Sequence, residues 1–167
     1  MMVRGGARRL GVMILAAAMV PGLAAEELRN WFNDPFFPVR ESLVGCPVPA
    51  GPFVDHKGFL AQSHRRAEKG TTAWLAGEAQ RPKAYAYDAE IAERLQRAFR
   101  DSRLFHPSAL WITVQGRVVY VEGCVPAALA PATLESFVRS VPDVQQAIAI
   151  VRRGPAKRVP YAVLPAK

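Results

Sequence analysis

The stretch 87–151 switches between helical and strand-like periodicity, and the order of these patterns is the strongest constraint on the fold. Asp88 is predicted to cap a first helix, because a carboxylate there can accept a bond from a free backbone amide. The apolar residues Ile91, Leu95 and Phe99 then recur at helical spacing, which indicates one buried face. Breaker residues at 101–102 and 106–108 predict the end of this helix.

Two alternating runs follow and predict a β-hairpin across a turn at Gln115-Gly116, where glycine adopts positive φ at little cost. One side of the hairpin is predicted to face the core, and it carries Leu110, Ile112, Val114, Val119, Val121, Gly123 and Val125. A second helix is predicted from about Pro131, since proline suits a first helical turn. A last strand is predicted over 144–151.

This order predicts an α+β sandwich of helix, strand, strand, helix and strand, with a three-stranded mixed sheet and two helices on one face. The predicted core of this module, residues 86–152, consists of Ile91, Leu95, Phe99, Ile112, Val114, Val119, Val121, Gly123, Val125, Leu134, Val138, Val144 and Ile148.

The same segment resembles the BON domain, named for bacterial osmotically inducible and nodulation proteins. The resemblance is carried by YDAEIAERLQRAF, by the hairpin RVVYVEGCV, and by LESFVRSV followed by PDVQQAIAIV. Arg117 replaces the glycine that opens the family's second strand, and Asp143-Val144 replaces the glycine-valine after its second helix. The resemblance covers about 65 of the 167 residues, in a single copy.

The resemblance implies a non-catalytic periplasmic or envelope module that binds phospholipid surfaces or other proteins. Related folds build rings in secretion machines. The expected function is therefore association with the envelope surface in support of its integrity. The alternative is a structural or accessory subunit of an envelope or secretion assembly.

Residues 1–25 have the pattern of a secretory signal peptide. Arg4, Arg8 and Arg9 precede an apolar core at 10–20, which is too short to span a bilayer. Cleavage is expected after Ala24 or Ala25, and the alternative is an uncleaved N-terminal anchor. The pattern predicts export to the periplasm, with no transmembrane segment in the mature chain.

The two cysteines, Cys46 and Cys124, fit an oxidising compartment. Cys124 belongs to the hairpin side opposite the predicted core, so another part of the chain must cover it. The segment 26–85 is rich in proline and aromatic residues, and we expect it to wrap over that face as an irregular extension. A Cys46–Cys124 disulfide is predicted to hold it there; the alternative is two buried free thiols. Short elements are expected at 59–68 and 71–76.

The excess of basic over acidic residues lies in the tail, 153–167, and in Arg152 just before it. The net charge is +8, and it falls to +5 once residues 1–25 are removed with three arginines and no acid. Anionic headgroups could attract such a tail, and the possible lipid contacts are Arg152, Arg153, Lys157 and Arg158. The alternative is a solvated, solubilising end. Nucleic acid is a poor partner for an exported protein.

No pattern in the sequence predicts catalysis, a cofactor or a metal site. His56, His64 and His106 lack ligand spacing, and phosphate-binding, dinucleotide-binding and nucleophile motifs are absent. Glu122 lies in a strand without a second carboxylate placed by the sequence, so a structural or surface role is expected. The oligomeric state is not predicted.

Overall fold

The computed structural model describes residues 27–164, so the predicted signal peptide and its cleavage site lie outside the described residues. The helices and strands, in chain order, are β1 (Phe36–Glu41), α1 (His56–Glu68), α2 (Thr71–Leu75), α3 (Asp88–Asp101), β2 (Ala109–Gln115), β3 (Val118–Val125), α4 (Pro131–Arg139) and β4 (Gln146–Arg153). A short 3₁₀ turn, Ala84–Tyr87, leads into α3. The α+β class and the order of elements in the module are as predicted.

The sheet has four strands in the order β1-β2-β3-β4, so the prediction of a three-stranded sheet is wrong in its count. β1 comes from the extension and pairs antiparallel with β2. The prolines of this segment argue against a regular helix, and the sequence predicts an irregular extension without a strand here. β1 is an edge strand with a register shift between Pro38 and Arg40, and an edge tolerates proline.

The hydrophobic core lies between one face of the sheet and helices α3 and α4. Eleven of the predicted core residues are buried: Ile91, Leu95, Phe99, Ile112, Val114, Val119, Val121, Gly123, Val125, Leu134 and Val138. Val144 is half-buried and packs against this core. The structure therefore uses the two periodic patterns, helical and alternating, in the way the sequence indicates.

Ile148 is a correction, because it lies on the opposite face of the sheet. β4 runs parallel to β3 with Ala147 beside Val119 and Ile148 beside Tyr120. Since neighbouring side chains in register share a face, Ala147 joins the core and Ile148 does not. The alternation in β4 was predicted correctly, but its phase was reversed because the larger side chain was assigned to the core.

Asp88 is a second correction, since its carboxylate does not cap α3. The helix begins at Asp88 itself, and the carboxylate accepts hydrogen bonds from the backbone N–H groups of Gly116 (2.6 Å) and Arg117 (2.9 Å). These are the two turn residues of the β2–β3 hairpin, with φ of 61° and 67°. A two-residue turn with both φ values positive matches the right-handed twist of the strands. Asp88 therefore fixes the hairpin to α3.

Gly123 is the glycine at which the fold least tolerates a side chain. Its φ is 146°, and a Cβ built on it would lie 2.0 Å from the carbonyl oxygen of Ala109. The strands β2 and β3 therefore approach each other at Gly123 more closely than a side chain allows. The conspicuous glycine in RVVYVEGCV is needed for the strand pairing itself.

Candidate functional site

The disulfide lies where β3 and β4 end. The sulfur atoms of Cys46 and Cys124 are 2.06 Å apart, which is disulfide-bond distance, and the bond closes a loop with a sequence separation of 78 residues. Cys124 is fully buried on the face opposite the helices, beside Ala109 and Arg152 in the register. The predicted pairing of Cys46 with Cys124 is thus present in the structure.

The C-terminal segment returns to the disulfide, which the sequence did not predict. The hydroxyl of Tyr161 lies 3.3 Å from Sγ of Cys46 and 3.7 Å from Sγ of Cys124, and it donates to the carbonyl of Pro47 at 2.8 Å. Burial raises the pKa of Tyr161 to about 12, and Arg152 opposes that rise. An aromatic side chain in a basic tail was the signal that could have revealed this contact.

The four predicted lipid-contact residues have different surroundings. Arg152 is half-buried in β4, and its Nε has no hydrogen-bond partner among the described residues. Arg153 ends β4 and donates to the carbonyl of Ala127. Lys157 and Arg158 lie in the turn beyond the strand and are exposed. Of the four, Lys157 and Arg158 are the side chains best placed to meet a charged surface.

Exposed apolar side chains occur where the tail pairs with the extension. The segments around Pro49 and Val163 pair as an isolated antiparallel bridge, and the N–H of Ala50 donates to the carbonyl of Ala162 at 2.7 Å. Three apolar side chains near this bridge are between two-fifths and one-half exposed: Val48, Val163 and Leu164. Together with Lys157 and Arg158 they form what we call the disulfide-end surface. Its parts come from the extension and the tail.

The opposite end of the sheet holds a buried polar cluster. Arg66 forms a two-pronged ion pair with Asp34, and Nε2 of Gln115 donates to Oδ2 of Asp34 at 2.7 Å. The guanidinium of Arg66 lies between two aromatic rings, 3.9 Å from the centre of Phe32 and 4.2 Å from that of Tyr85. Burial raises the pKa of Asp34, while Arg66 and Gln115 oppose the rise.

This cluster borders an open cleft of about 450 Å³ with aromatic walls at Phe32, Phe59 and Tyr85. The charges in it are already satisfied by each other, so the arrangement serves to join the extension to the hairpin rather than to receive an ion. Sequence reasoning missed Asp34 and Arg66 because they are 32 positions apart and belong to no spacing motif.

Within residues 27–164, no three histidine, cysteine, aspartate or glutamate side chains are grouped so that they could hold a metal ion. The histidines are dispersed: His64 lies 3.5 Å from Glu68 on α1, while His56 contacts the rings of Trp31 and Phe59. None of the helices in this range has the length and apolar character needed to cross a membrane.

The fold and these surfaces define a small α+β module whose accessible features suit binding. Residues 87–151 match the family model of the BON domain, in a single copy. This match confirms the resemblance in the sequence. BON domains are non-catalytic modules that bind phospholipid or envelope surfaces. No curated protein and no solved structure matches the chain significantly.

Proposed function

We propose that this protein is an exported, non-catalytic module that binds anionic phospholipid at the surface of the bacterial envelope through its disulfide-end surface. The observation that supports this most is that Lys157 and Arg158 are exposed in the same tail that carries the exposed side chains of Val163 and Leu164, and that this tail pairs with the extension close to Val48. Cations meet the phosphate groups while small apolar side chains enter the interface between headgroups and acyl chains. The signal-peptide pattern and the disulfide favour a periplasmic location.

The magnitude of such binding follows from the number of cations that can reach the membrane. Each basic residue near an anionic surface contributes about 1 kcal/mol, and salt weakens that contribution. Lys157 and Arg158 would together contribute about 2 kcal/mol, which corresponds to roughly 30-fold in affinity. The disulfide keeps Val48 close to the tail, so reduction should weaken binding without changing the charge.

A protein partner is the second candidate function, and the outer edge of β4 supports it. β4 is eight residues long and pairs with β3 alone, so its other edge has no strand beside it among the described residues. Glu135 accepts a hydrogen bond from the N–H of Ala149 at 3.0 Å on this strand. An edge without a neighbouring strand can add one from another chain, which would have to displace or avoid the contact of Glu135 with Ala149. This would suit an accessory subunit of an envelope assembly.

Co-sedimentation of the mature protein with anionic and neutral vesicles, at low and moderate salt, distinguishes the two functions. We expect salt-sensitive binding to anionic vesicles and a roughly 30-fold loss in the variant Lys157→Gln/Arg158→Gln. The matched control is Arg97→Gln/Arg100→Gln, which removes the same charge from exposed positions on α3.

Equal losses in both variants would show that net charge matters and the disulfide-end surface does not. Absence of vesicle binding, together with recovery of one stoichiometric crosslinked partner from the periplasm, would replace the lipid proposal with the β4 edge.

A further inference from the structure

A groove crosses the face of the sheet that carries no helix of the module. Two clefts, of about 450 and 250 Å³, both include Gln115 and Tyr120 in their walls and therefore adjoin each other. The first is bounded by α1, and the second reaches Glu122 and Ile150. We call the two together the helix-free groove. It lies on the face of the sheet opposite the core.

One end of the helix-free groove is cationic. Arg65 and Lys69, on and just after α1, line it, and neither forms an ion pair with a described carboxylate. Nζ of Lys69 lies 3.3 Å from the backbone carbonyl of Gln115. Burial lowers the pKa of Lys69; the charge of Asp88 opposes this, and those of Arg65 and Arg66 add to it. Glu68 also lines this end, but it is exposed and adjacent to His64.

The other end holds the carboxylate of Glu122, and Arg152 lies on the same face, two residues beyond Ile150, the β4 partner of Glu122. Glu122 is half-buried, and no described residue forms an ion pair or hydrogen bond with its side chain. Burial raises the pKa of this carboxylate. Beside it lies Thr113, which is 4% exposed and whose hydroxyl has no hydrogen-bond partner among the described residues. Buried polar groups in proteins are nearly always hydrogen-bonded, so the unpaired hydroxyl of Thr113 in the wall of the groove points to a ligand.

The register of the sheet gives the distance between the two ends. Gln115, which Lys69 contacts, pairs with Val118, and Glu122 is four residues further along the same strand. At about 3.4 Å per residue this separation is roughly 13 Å. A fully extended peptide of four residues has about the same length. Tyr120 and Ile150 lie along the way and offer apolar contact.

We propose that the helix-free groove binds a short extended peptide of about four residues with free ends, its carboxylate at Arg65 and Lys69 and its amino group at Glu122. Charge complementarity fixes the direction of the peptide, and the register of the sheet fixes its length. A phospholipid headgroup carries its phosphate and its amine only a few bonds apart, so it cannot reach both ends. This site uses none of the residues assigned to membrane binding.

Calorimetric titration with tetra-alanine tests the site directly, using the mature oxidised protein and three forms of the peptide: free, N-acetylated and C-amidated. We expect binding of the free form, weakened up to about fivefold by blocking either end. In Glu122→Gln, the free and acetylated peptides should bind with equal affinity. In Arg65→Gln/Lys69→Gln, the free and amidated peptides should bind with equal affinity.

The control variant is Glu93→Gln, which removes one exposed carboxylate from α3 and should leave all affinities unchanged. Thermal unfolding of each variant checks that the fold is intact. The proposal is overturned if tetra-alanine does not bind at millimolar concentration. It is also overturned if blocked and free peptides bind the unmodified protein equally, or if Glu122→Gln retains its preference for a free amino group.

Discussion

The two faces of the sheet are stabilised in different ways. The face toward α3 and α4 is covered by a continuous aliphatic and aromatic core, in which side chains such as Leu95, Ile112 and Val121 are fully buried. The opposite face is stabilised by separate contacts: a disulfide, the tyrosine beside it, and a buried ion pair whose guanidinium lies between aromatic rings. A core of the first kind leaves a periodic trace in the sequence, and contacts of the second kind leave none.

The parts of the chain that form the module also differ from those that contribute to the proposed binding surfaces. The segment that matches the BON domain, residues 87–151, contains α3, α4, β2, β3 and most of β4, whereas both proposed binding surfaces also use residues of the extension or the tail. Val48 belongs to the disulfide-end surface, and Lys69 belongs to the helix-free groove. We therefore regard the extension as the part that adapts a common module to its particular ligand.

The largest effect is expected from Gly123→Ala, which affects the strand pairing that both faces share. A Cβ 2.0 Å from the carbonyl oxygen of Ala109 requires β2 and β3 to separate, so we expect a loss of about 5 kcal/mol or failure to fold. Gly77→Ala is the control, since Gly77 also has positive φ but nothing within 4 Å of the added atom. It should cost about 1 kcal/mol. Urea unfolding of both variants checks this, and equal losses would contradict it.

Removal of the disulfide should affect the extension side most. The variant Cys46→Ser/Cys124→Ser is expected to lose about 4 kcal/mol in the chain-entropy model, because the closed loop is long. Peptide mapping without reductant should find both cysteines in one linked peptide from the unmodified protein. Two free thiols in protein recovered from the periplasm would refute the pairing and the docking of the extension that depends on it.

The buried ion pair gives the third prediction. Asp34→Ala leaves Arg66 buried without its partner and should cost about 3 kcal/mol. The double variant Asp34→Leu/Arg66→Met should recover most of that loss, since an apolar pair needs no desolvated charge. Glu93→Ala, which breaks the exposed pair with Arg97, is the control and should cost less than about 0.5 kcal/mol. If the double variant is as unstable as Asp34→Ala, the charges themselves stabilise the extension.

The smallest effect concerns Glu122. Burial raises its pKa, so the folded protein holds this proton more firmly than the unfolded chain does. The free energy of unfolding should therefore fall, relative to that of Glu122→Gln, as the pH rises above the ordinary value of 4.5. Urea unfolding at several pH values measures the difference. If the free energy of unfolding instead rises with pH, a nearby cation must stabilise the charged form of Glu122.

The sequence predicted those parts of the fold in which periodicity and burial agree. The helix starting at Pro131 and the hairpin turn at Gly116 were both predicted correctly. β1 was missed because the prolines and aromatic residues of this segment predicted an irregular chain over the sheet, and no alternating pattern indicated an edge strand. Asp88 was assigned to its own helix because a sequence shows local capping partners but not the distant N–H groups of Gly116 and Arg117.

Less of the candidate sites could be predicted. The pairing of Cys46 with Cys124 was predicted from the oxidising compartment and from the sheet face on which Cys124 lies. Lys157 and Arg158 were predicted from the excess of basic residues in the tail. The apolar neighbours of these cations depend on the bridge between Pro49 and Val163, which joins residues more than a hundred positions apart. The helix-free groove likewise joins α1 to β3, and no spacing rule connects Lys69 with Glu122.

Amide hydrogen exchange of β1 tests most directly whether the extension is an integral part of the domain. The N–H of Val114 donates to the carbonyl of Pro35 at 3.0 Å, and the β1–β2 ladder continues from there to Glu41. In the oxidised protein we predict that the amides of this ladder exchange as slowly as those between β2 and β3. Fast exchange in β1, with β2 and β3 still protected, would show that the module folds without its extension and would contradict the account.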